Sequence, residues 1–193
     1  TGALENASHL FMACKSFKGD ISKWDTRRVT NMAWMFHGSL FNRSIAQWNT
    51  SNVKYMQLMF AHSRFNGDIS QWDTSQVQTM RKMFQYSHFN GDLSKWDVSN
   101  VRDFLEMFDE ARFNRDISRW STASMKNVSS MFENGTFQGD LSTWDVSGIN
   151  NFSCMFRRTS YAGDLSGWKV KKTADVSRMI SREFNMAHEH GFH

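Results

Sequence analysis

Residues 65–88 read FNGDISQWDTSQVQTMRKMFQYSH, and this 24-residue pattern recurs along most of the 193-residue chain. Tryptophan keeps the step at positions Trp24, Trp48, Trp72, Trp96, Trp120, Trp144 and Trp168. Methionine keeps it at Met35, Met59, Met83, Met107, Met131, Met155 and Met179. Self-similarity at a fixed period of this length is the signature of a repeat protein. We therefore expect a single repeat domain over 1–193, with an N-terminal half-unit at 1–16, seven units at 17–180 and a C-terminal cap at 181–193.

The second half of each unit is predicted to be a short helix. Val77, Met80, Met83 and Phe84 are spaced like the residues on one face of an α-helix. Asp73, just upstream, can accept hydrogen bonds from the free amides of a first helical turn. A helix of about ten residues is too short to persist alone in water, so it should pack against its neighbours.

The first half of each unit is predicted to contain a short parallel strand. Ile69, Trp72 and Thr74 follow the spacing of a leucine-rich repeat, and the Thr74 position is Thr or Val in every unit. The predicted fold is therefore an α/β solenoid, a leucine-rich-repeat-like right-handed coil of 24-residue units. Short parallel strands should line one side of the coil and short helices the other.

The motif D-I-S-x-W-D-[TV]-S with its following M-F pair resembles the short repeat of BspA-like leucine-rich-repeat surface proteins. Such proteins occur in bacteria and also in some protists and large viruses. The similarity covers residue 17 to about residue 180, with Ser44, Ser121 and Lys169 departing from Asp in single units. It implies an extracellular or surface-exposed protein used in adhesion or ligand binding, and it brings no catalytic residues with it.

Two rows of equivalent residues allow alternative interpretations. Stacked units would place equivalent side chains about 4.8 Å apart, so the tryptophans could form either a buried ladder or a carbohydrate-binding platform. Their use in every unit beside aliphatic residues favours the core. The aspartate row could form a chain of calcium sites, or each carboxylate could accept the amide two residues further on. One carboxylate per unit favours the second interpretation. The row comprises Asp20, Asp68, Asp92, Asp116, Asp140 and Asp164.

Two surfaces are candidates for ligand binding. Polar residues of both charges flank the predicted strand on what would be the concave face, which is either a ligand surface or merely solvated. We call its eight candidate residues the polar strip: Lys23, Asp25, Gln71, Asp73, Lys95, Asp97, Arg119 and Asp145. The second candidate is Trp34, which lies off the buried face of the predicted helix and could anchor a partner.

Composition and motifs exclude several classes of function. No apolar run approaches the 18 or so residues of a membrane-spanning helix, which excludes an integral membrane protein. A formal net charge of +4 is far short of a dedicated nucleic-acid binder. No catalytic constellation or cofactor motif is visible, so we expect neither enzymatic activity nor a cofactor. Cys14 and Cys154 are nearly six units apart and should both be free thiols. No metal site is expected, since His188, His190 and His193 form a short terminal group typical of a frayed end.

The leading functional hypothesis is a non-enzymatic module at the cell surface or secreted, which binds a protein or glycan partner in adhesion. The alternative is a structural protein whose copies self-associate end to end into fibres or a larger surface assembly. The polar cap predicted at 181–193 argues against that alternative, because solenoids use such caps to remain soluble.

Overall fold

A computed structural model describes residues 3–180, and the predicted cap and terminal histidines lie outside this range. Each unit stacks on the next through a parallel β-bridge between equivalent residues. These bridges join Asn6, Asn31, Tyr55, Thr79, Asp103, Asn127, Asn151 and Asp175 in succession, and a further bridge joins Phe156 to Ile180. The units therefore lie in parallel, in the order of the chain.

The predicted α/β solenoid is wrong, because residues 3–180 contain no α-helix and no strand beyond these isolated bridges. The segment predicted as a helix is a run of overlapping turns. Alternate amides close turns within the unit, as Met83 does with the carbonyl of Met80 at 3.1 Å. The amides between them donate to the next unit, as Phe84 does to Met107 at 3.0 Å. About half of the backbone amides that would bond within a helix thus donate to the next unit instead.

Left-handed backbone geometry at two positions per unit also prevents a helix. Lys82 has a φ of 56° and Tyr86 a φ of 53°, as the third position of a type II turn requires. Gly38, with a φ of 63°, occupies the position equivalent to Tyr86. Such a φ costs roughly 1–2 kcal/mol for a residue with a side chain. Bonding between units must therefore offset a repeated local strain.

The parallel strand predicted beside Trp72 is also absent, since the bridges form seven residues after that tryptophan, at Thr79 and its equivalents. The Thr74 hydroxyl instead donates to the carbonyl of Asp97 in the next unit at 2.9 Å. Asp73 provides the predicted capping chemistry, but the amide of Ser75 that it accepts at 3.0 Å begins a turn and not a helix.

The predicted aromatic core is confirmed. Trp96 is 3% exposed, and the repeated tryptophans from Trp48 to Trp168 are all buried. The rings of Trp48 and Trp72 stack with their centroids 6.4 Å apart, and Phe60 and Phe84 stack at 5.7 Å. These spacings exceed the predicted 4.8 Å and lie in the range that offset aromatic pairs favour. The repeated tryptophans are therefore core residues and not an exposed platform.

Two repeated sets of hydrogen bonds accompany the aromatic stack, one between units and one within each unit. From Trp48 onward, each indole Nε1 donates to the carbonyl of an Ile or Leu in the preceding unit; for Trp96 the acceptor is Ile69 at 3.0 Å. Each aspartate of the predicted row accepts the amide two residues on, as Asp68 does from Ser70 at 2.9 Å. The turn interpretation of the aspartate row is thereby confirmed. Cys14 and Cys154 are both free, as predicted.

Candidate binding surfaces

The polar strip lies at the surface as a pair of neighbouring rows. Seven of its eight residues are exposed, and Asp25 is half-buried. Its lysines and arginine stand in one row and its aspartates in the other, two residues further along each unit. The strip thus offers both charges along the stack, and its role in binding stays a prediction.

The aspartates of the polar strip already have a structural role. Asp97 accepts the amide of Ser99 at 2.9 Å, and Asp145 accepts that of Ser147 at 3.0 Å. Hydrogen bonds from the Ser147 hydroxyl and amide lower the pKa of Asp145, and the guanidinium of Arg27 lowers that of Asp25. The carboxylates of Asp25 and Asp145 stay ionised while they close turns, so a ligand would have to share them with the backbone.

The run of turns forms a second surface, which we call the turn ridge: residues 81–88 and their equivalents in the other units. Trp34 lies on it, half-buried, with a φ of 62°. Its indole stacks on the His9 ring with centroids 5.8 Å apart, and it contacts His37 at 4.7 Å. His37 contacts His62 edge-on at 5.3 Å. His62 then stacks on Tyr86 at 4.6 Å.

These five rings form a continuous surface feature, which we call the aromatic strip: His9, Trp34, His37, His62 and Tyr86. Sequence reasoning identified Trp34 alone, because a tryptophan out of register stands out. The other four rings follow no repeated pattern, and stacking of the units brings them together. Large apolar side chains nearby are also exposed, namely Leu10, Met12 and Leu40.

The neighbours of His37 in the aromatic strip affect its titration. Burial, followed by the nearby His62, Lys15 and His9, lowers the pKa of His37. At the other end of the strip, Glu110 and then Asp109 raise the pKa of Tyr86. At neutral pH the rings of His37 and Tyr86 are therefore uncharged.

Beyond Tyr86 the turn ridge carries a group of polar side chains that the sequence analysis missed. Asp109 is buried and accepts the Gln85 amide at 3.0 Å and that of Asn134 at 3.4 Å. Burial nevertheless raises the pKa of Asp109. Buried Glu133 accepts Arg157 Nε at 2.5 Å. These groups satisfy one another, so they are explained as internal structure. The sequence signal that could have revealed them is a row of polar residues at 24-residue steps from the buried Ala61, namely Gln85, Asp109, Glu133 and Arg157.

The turn ridge varies from unit to unit, whereas the core rows repeat. One ridge row reads Trp34, Leu58, Lys82, Glu106, Ser130, Cys154 and Arg178, and another reads Gly38, His62, Tyr86, Glu110, Asn134 and Arg158. The ridge therefore passes from aromatic to acidic to basic along the stack. Because other residues fix the fold, such a surface can differ without disturbing it.

Neither a metal-binding cluster nor a membrane-spanning helix is present among the described residues. The described residues contain no group of three or more His, Cys, Asp or Glu side chains placed to hold a metal ion. Within 3–180 there is also no helix with the length and apolarity needed to cross a membrane.

Comparison with known proteins identifies the family. The family described as "Mycoplasma protein of unknown function, DUF285" matches residues 5–112 and again residues 85–190. The two matches together span nearly the whole chain, so the chain belongs to this family, a family of repeats. No curated protein and no solved structure matches the sequence.

Proposed function

We propose that this member of the DUF285 family is a non-enzymatic binding module at the cell surface or in the extracellular space. In this proposal the turn ridge holds a protein or glycan partner, and the aromatic strip provides the anchor. The module would serve adhesion, with no cofactor and no chemical step.

The aromatic strip is the observation that carries the proposal. Trp34, His37, His62 and Tyr86 contact one another in sequence across the surface of three consecutive units, and His9 extends the row by one more. Tryptophan and tyrosine are the residues that most often dominate binding energy at protein interfaces. Rings held by their neighbours also lose little conformational freedom when a partner binds.

The resemblance to BspA-like surface proteins supports the adhesive role and the location. It rests on the D-I-S-x-W-D-[TV]-S core. The tryptophan of this core donates to the preceding unit, and its first aspartate closes a turn within its own unit. In this proposal those repeated residues build the scaffold and the varied ridge residues select the partner. Family membership by itself supports the repeat architecture.

The polar strip is the second candidate surface for the same function. Its basic residues Lys23, Lys95 and Arg119 are exposed and could meet an acidic partner. Its aspartates are engaged in turns, however, and this reduces the number of groups that can respond to a ligand. We therefore rank the polar strip below the turn ridge.

An array of glycans and extracellular-matrix proteins, probed with the purified chain, would identify the partner. Trp34→Ala should then weaken binding on the order of 30-fold or more, as loss of an interface anchor does. The matched variant combines Asp73→Asn, Lys95→Ala and Asp97→Asn. Asparagine should preserve the turns, because Asn49 accepts the Ser51 amide at 3.0 Å in the same way.

The two variants separate the candidate surfaces. Normal binding by the triple variant with loss in Trp34→Ala supports the turn ridge. The reverse pattern, with both variants melting like the wild type, would make the polar strip the working surface.

A further inference from the structure

We infer, on the basis of the proposed function, that the partner of the aromatic strip is a protein, bound through an extended segment that combines acidic with apolar side chains. Three features of the turn ridge around the strip favour this class of partner. They are the distribution of charge, the orientation of the rings and the apolar side chains beside them.

The part of the turn ridge that carries the aromatic strip contains basic residues and no acidic ones. Four ridge segments make up this part, and none of them contains Asp or Glu: 8–15, 33–40, 57–64 and 81–88. Arg81 and Lys82 face acids of the next unit, and Lys82 Nζ lies 2.9 Å from Glu106. Lys15 and Arg64 are exposed and form no ion pair among residues 3–180. Their two positive charges can therefore attract a partner that carries carboxylates.

The charge of Lys15 acts directly on the aromatic strip. Its Nζ donates a hydrogen bond to the carbonyl of Gly38, which holds the ammonium group close to the neighbouring His37. Burial and then the nearby His62 lower the pKa of His37, and the charge of Lys15 adds to the effect. The positive potential at this end of the strip therefore favours anionic groups of a partner.

In the following unit the turn ridge is acidic, which limits where an acidic segment can lie. Residues 105–112 contain a single base and three acids, Glu106, Asp109 and Glu110. These acids would repel the carboxylates of a partner, whereas the basic residues beside the strip attract them. The change of sign along the ridge thus places an acidic segment over the aromatic strip and not over the whole ridge.

The rings of the strip are oriented to suit a protein better than a sugar. The inner rings have neighbours on both sides, since Trp34 contacts His9 and His37. His62 likewise contacts His37 and Tyr86. Because rings stacked along the column of units turn their edges outward, these inner rings offer a pyranose no open face on which to stack. The edge is the positive part of an aromatic ring, so a row of edges also suits carboxylates.

Apolar side chains beside the strip complete the match to a polypeptide. Leu10, Met12 and Leu40 are 45%, 41% and 44% exposed on the same part of the turn ridge. An acidic glycan could meet the positive charges, but it would bring no apolar side chains to cover these residues. A polypeptide segment supplies both kinds of group, and burial of the apolar surface would add to its binding.

An array of short random peptides, probed with the 193-residue chain, tests this class of partner. The peptides that bind should be enriched in acidic and apolar residues and poor in Lys and Arg. Lys15→Gln combined with Arg64→Gln should weaken their binding roughly fivefold or more, because two attractions at the surface are lost. Added salt should weaken binding by the wild type in the same direction.

The matched control combines Lys54→Gln with Arg102→Gln. It removes the same two charges from exposed residues outside the turn ridge, and neither residue forms an ion pair within the described range. This control should bind the peptides like the wild type, and both double variants should melt like it. An equal loss of binding in the control would mean attraction by net charge alone, which overturns the inference.

Trp34→Ala separates the class of partner from the proposed function. Peptide binding that is unchanged in Trp34→Ala overturns the proposed function, because the strip then provides no anchor. Binding that requires Trp34 but shows no preference for acidic peptides overturns only the acidic partner. A heparin fragment that binds in a Trp34-dependent way, while the wild type binds no peptide, overturns the protein partner and leaves a glycan in its place. A wild type that binds neither probe also overturns it.

Discussion

At the scale of single residues, the repeated tryptophan performs two functions from Trp48 to Trp168, aromatic contact and hydrogen bonding. Its ring contacts other aromatic rings, as in the 6.4 Å stack of Trp120 on Trp144 and the 6.3 Å tilted contact of Trp96 with Phe84. Its Nε1 donates to a buried carbonyl of the preceding unit, and for Trp120 that acceptor is Leu93 at 3.0 Å. Phenylalanine could provide the stacking but not the hydrogen bond, which explains why the row is tryptophan throughout.

Substitution of Trp96 should separate these two contributions. Trp96→Phe keeps a ring but leaves the Ile69 carbonyl without its donor, so it should lower the free energy of unfolding by about 1–3 kcal/mol. Trp96→Ala should cost about 3–5 kcal/mol, as large core truncations do. Urea denaturation measures both. Trp24→Phe is the control, because the Trp24 indole donates to no carbonyl of a preceding unit within 3–180. An equal loss of unfolding free energy in Trp24→Phe and Trp96→Phe would refute the role of the hydrogen bond.

His37 should make stability depend on pH. Burial lowers the pKa of His37 in the folded state, and His62, Lys15 and His9 add to the effect. The unfolded chain therefore takes up the proton first. As pH falls below the ordinary histidine range, near 6.5, the free energy of unfolding should fall, and it should level off below the folded-state pKa. Denaturation across this range should show a smaller slope in His37→Gln; an unchanged slope would assign the effect to other groups.

Burial was predictable residue by residue, whereas hydrogen-bond partners were only partly so. Phe84 and Met83 could be assigned to the core because their rows repeat. Asp68 could be paired with the amide of Ser70 because that contact is local. The acceptor of each Trp indole lies 27 residues away in the sequence, and no local rule identifies it.

At the scale of elements, the helix prediction failed because its evidence does not distinguish a helix from a run of turns. Val77, Met80, Met83 and Phe84 are buried as predicted, and their spacing fits either structure. The deciding factor is where alternate amides find acceptors. Here they find them in the adjacent unit, a choice that depends on the whole stack and not on the segment.

Ser130 offers a direct test of the run of turns. Its φ is 52°, in the left-handed region. In a helix, Ser130→Ala would stabilise and Ser130→Gly would destabilise. In the turn ridge the order should reverse, with the glycine variant more stable than the alanine variant by roughly 1 kcal/mol, because glycine adopts this φ without strain. Thermal or urea denaturation of the two variants gives the order, and an alanine variant more stable than the glycine variant would restore the helix.

At the scale of the whole molecule, the candidate site was the least predictable part. The sequence drew attention to Trp34 because it breaks the pattern. His9 and His37 lie 25 and 3 residues away from it, and His62 lies 25 residues beyond His37. These residues come together only when the units, with their turns of positive φ, are stacked on one another. The fold's period could be predicted from the sequence, but the surface it creates could not.

The central claim, that the aromatic strip is the binding surface, is tested most directly by NMR shift mapping with the partner identified on the array. The expected result is perturbation of the ring signals of His9, Trp34, His62 and Tyr86, with the signals of Gln71, Lys95 and Arg119 unchanged. Perturbation confined to the polar strip, with the Trp34 indole signal unmoved, would contradict the account.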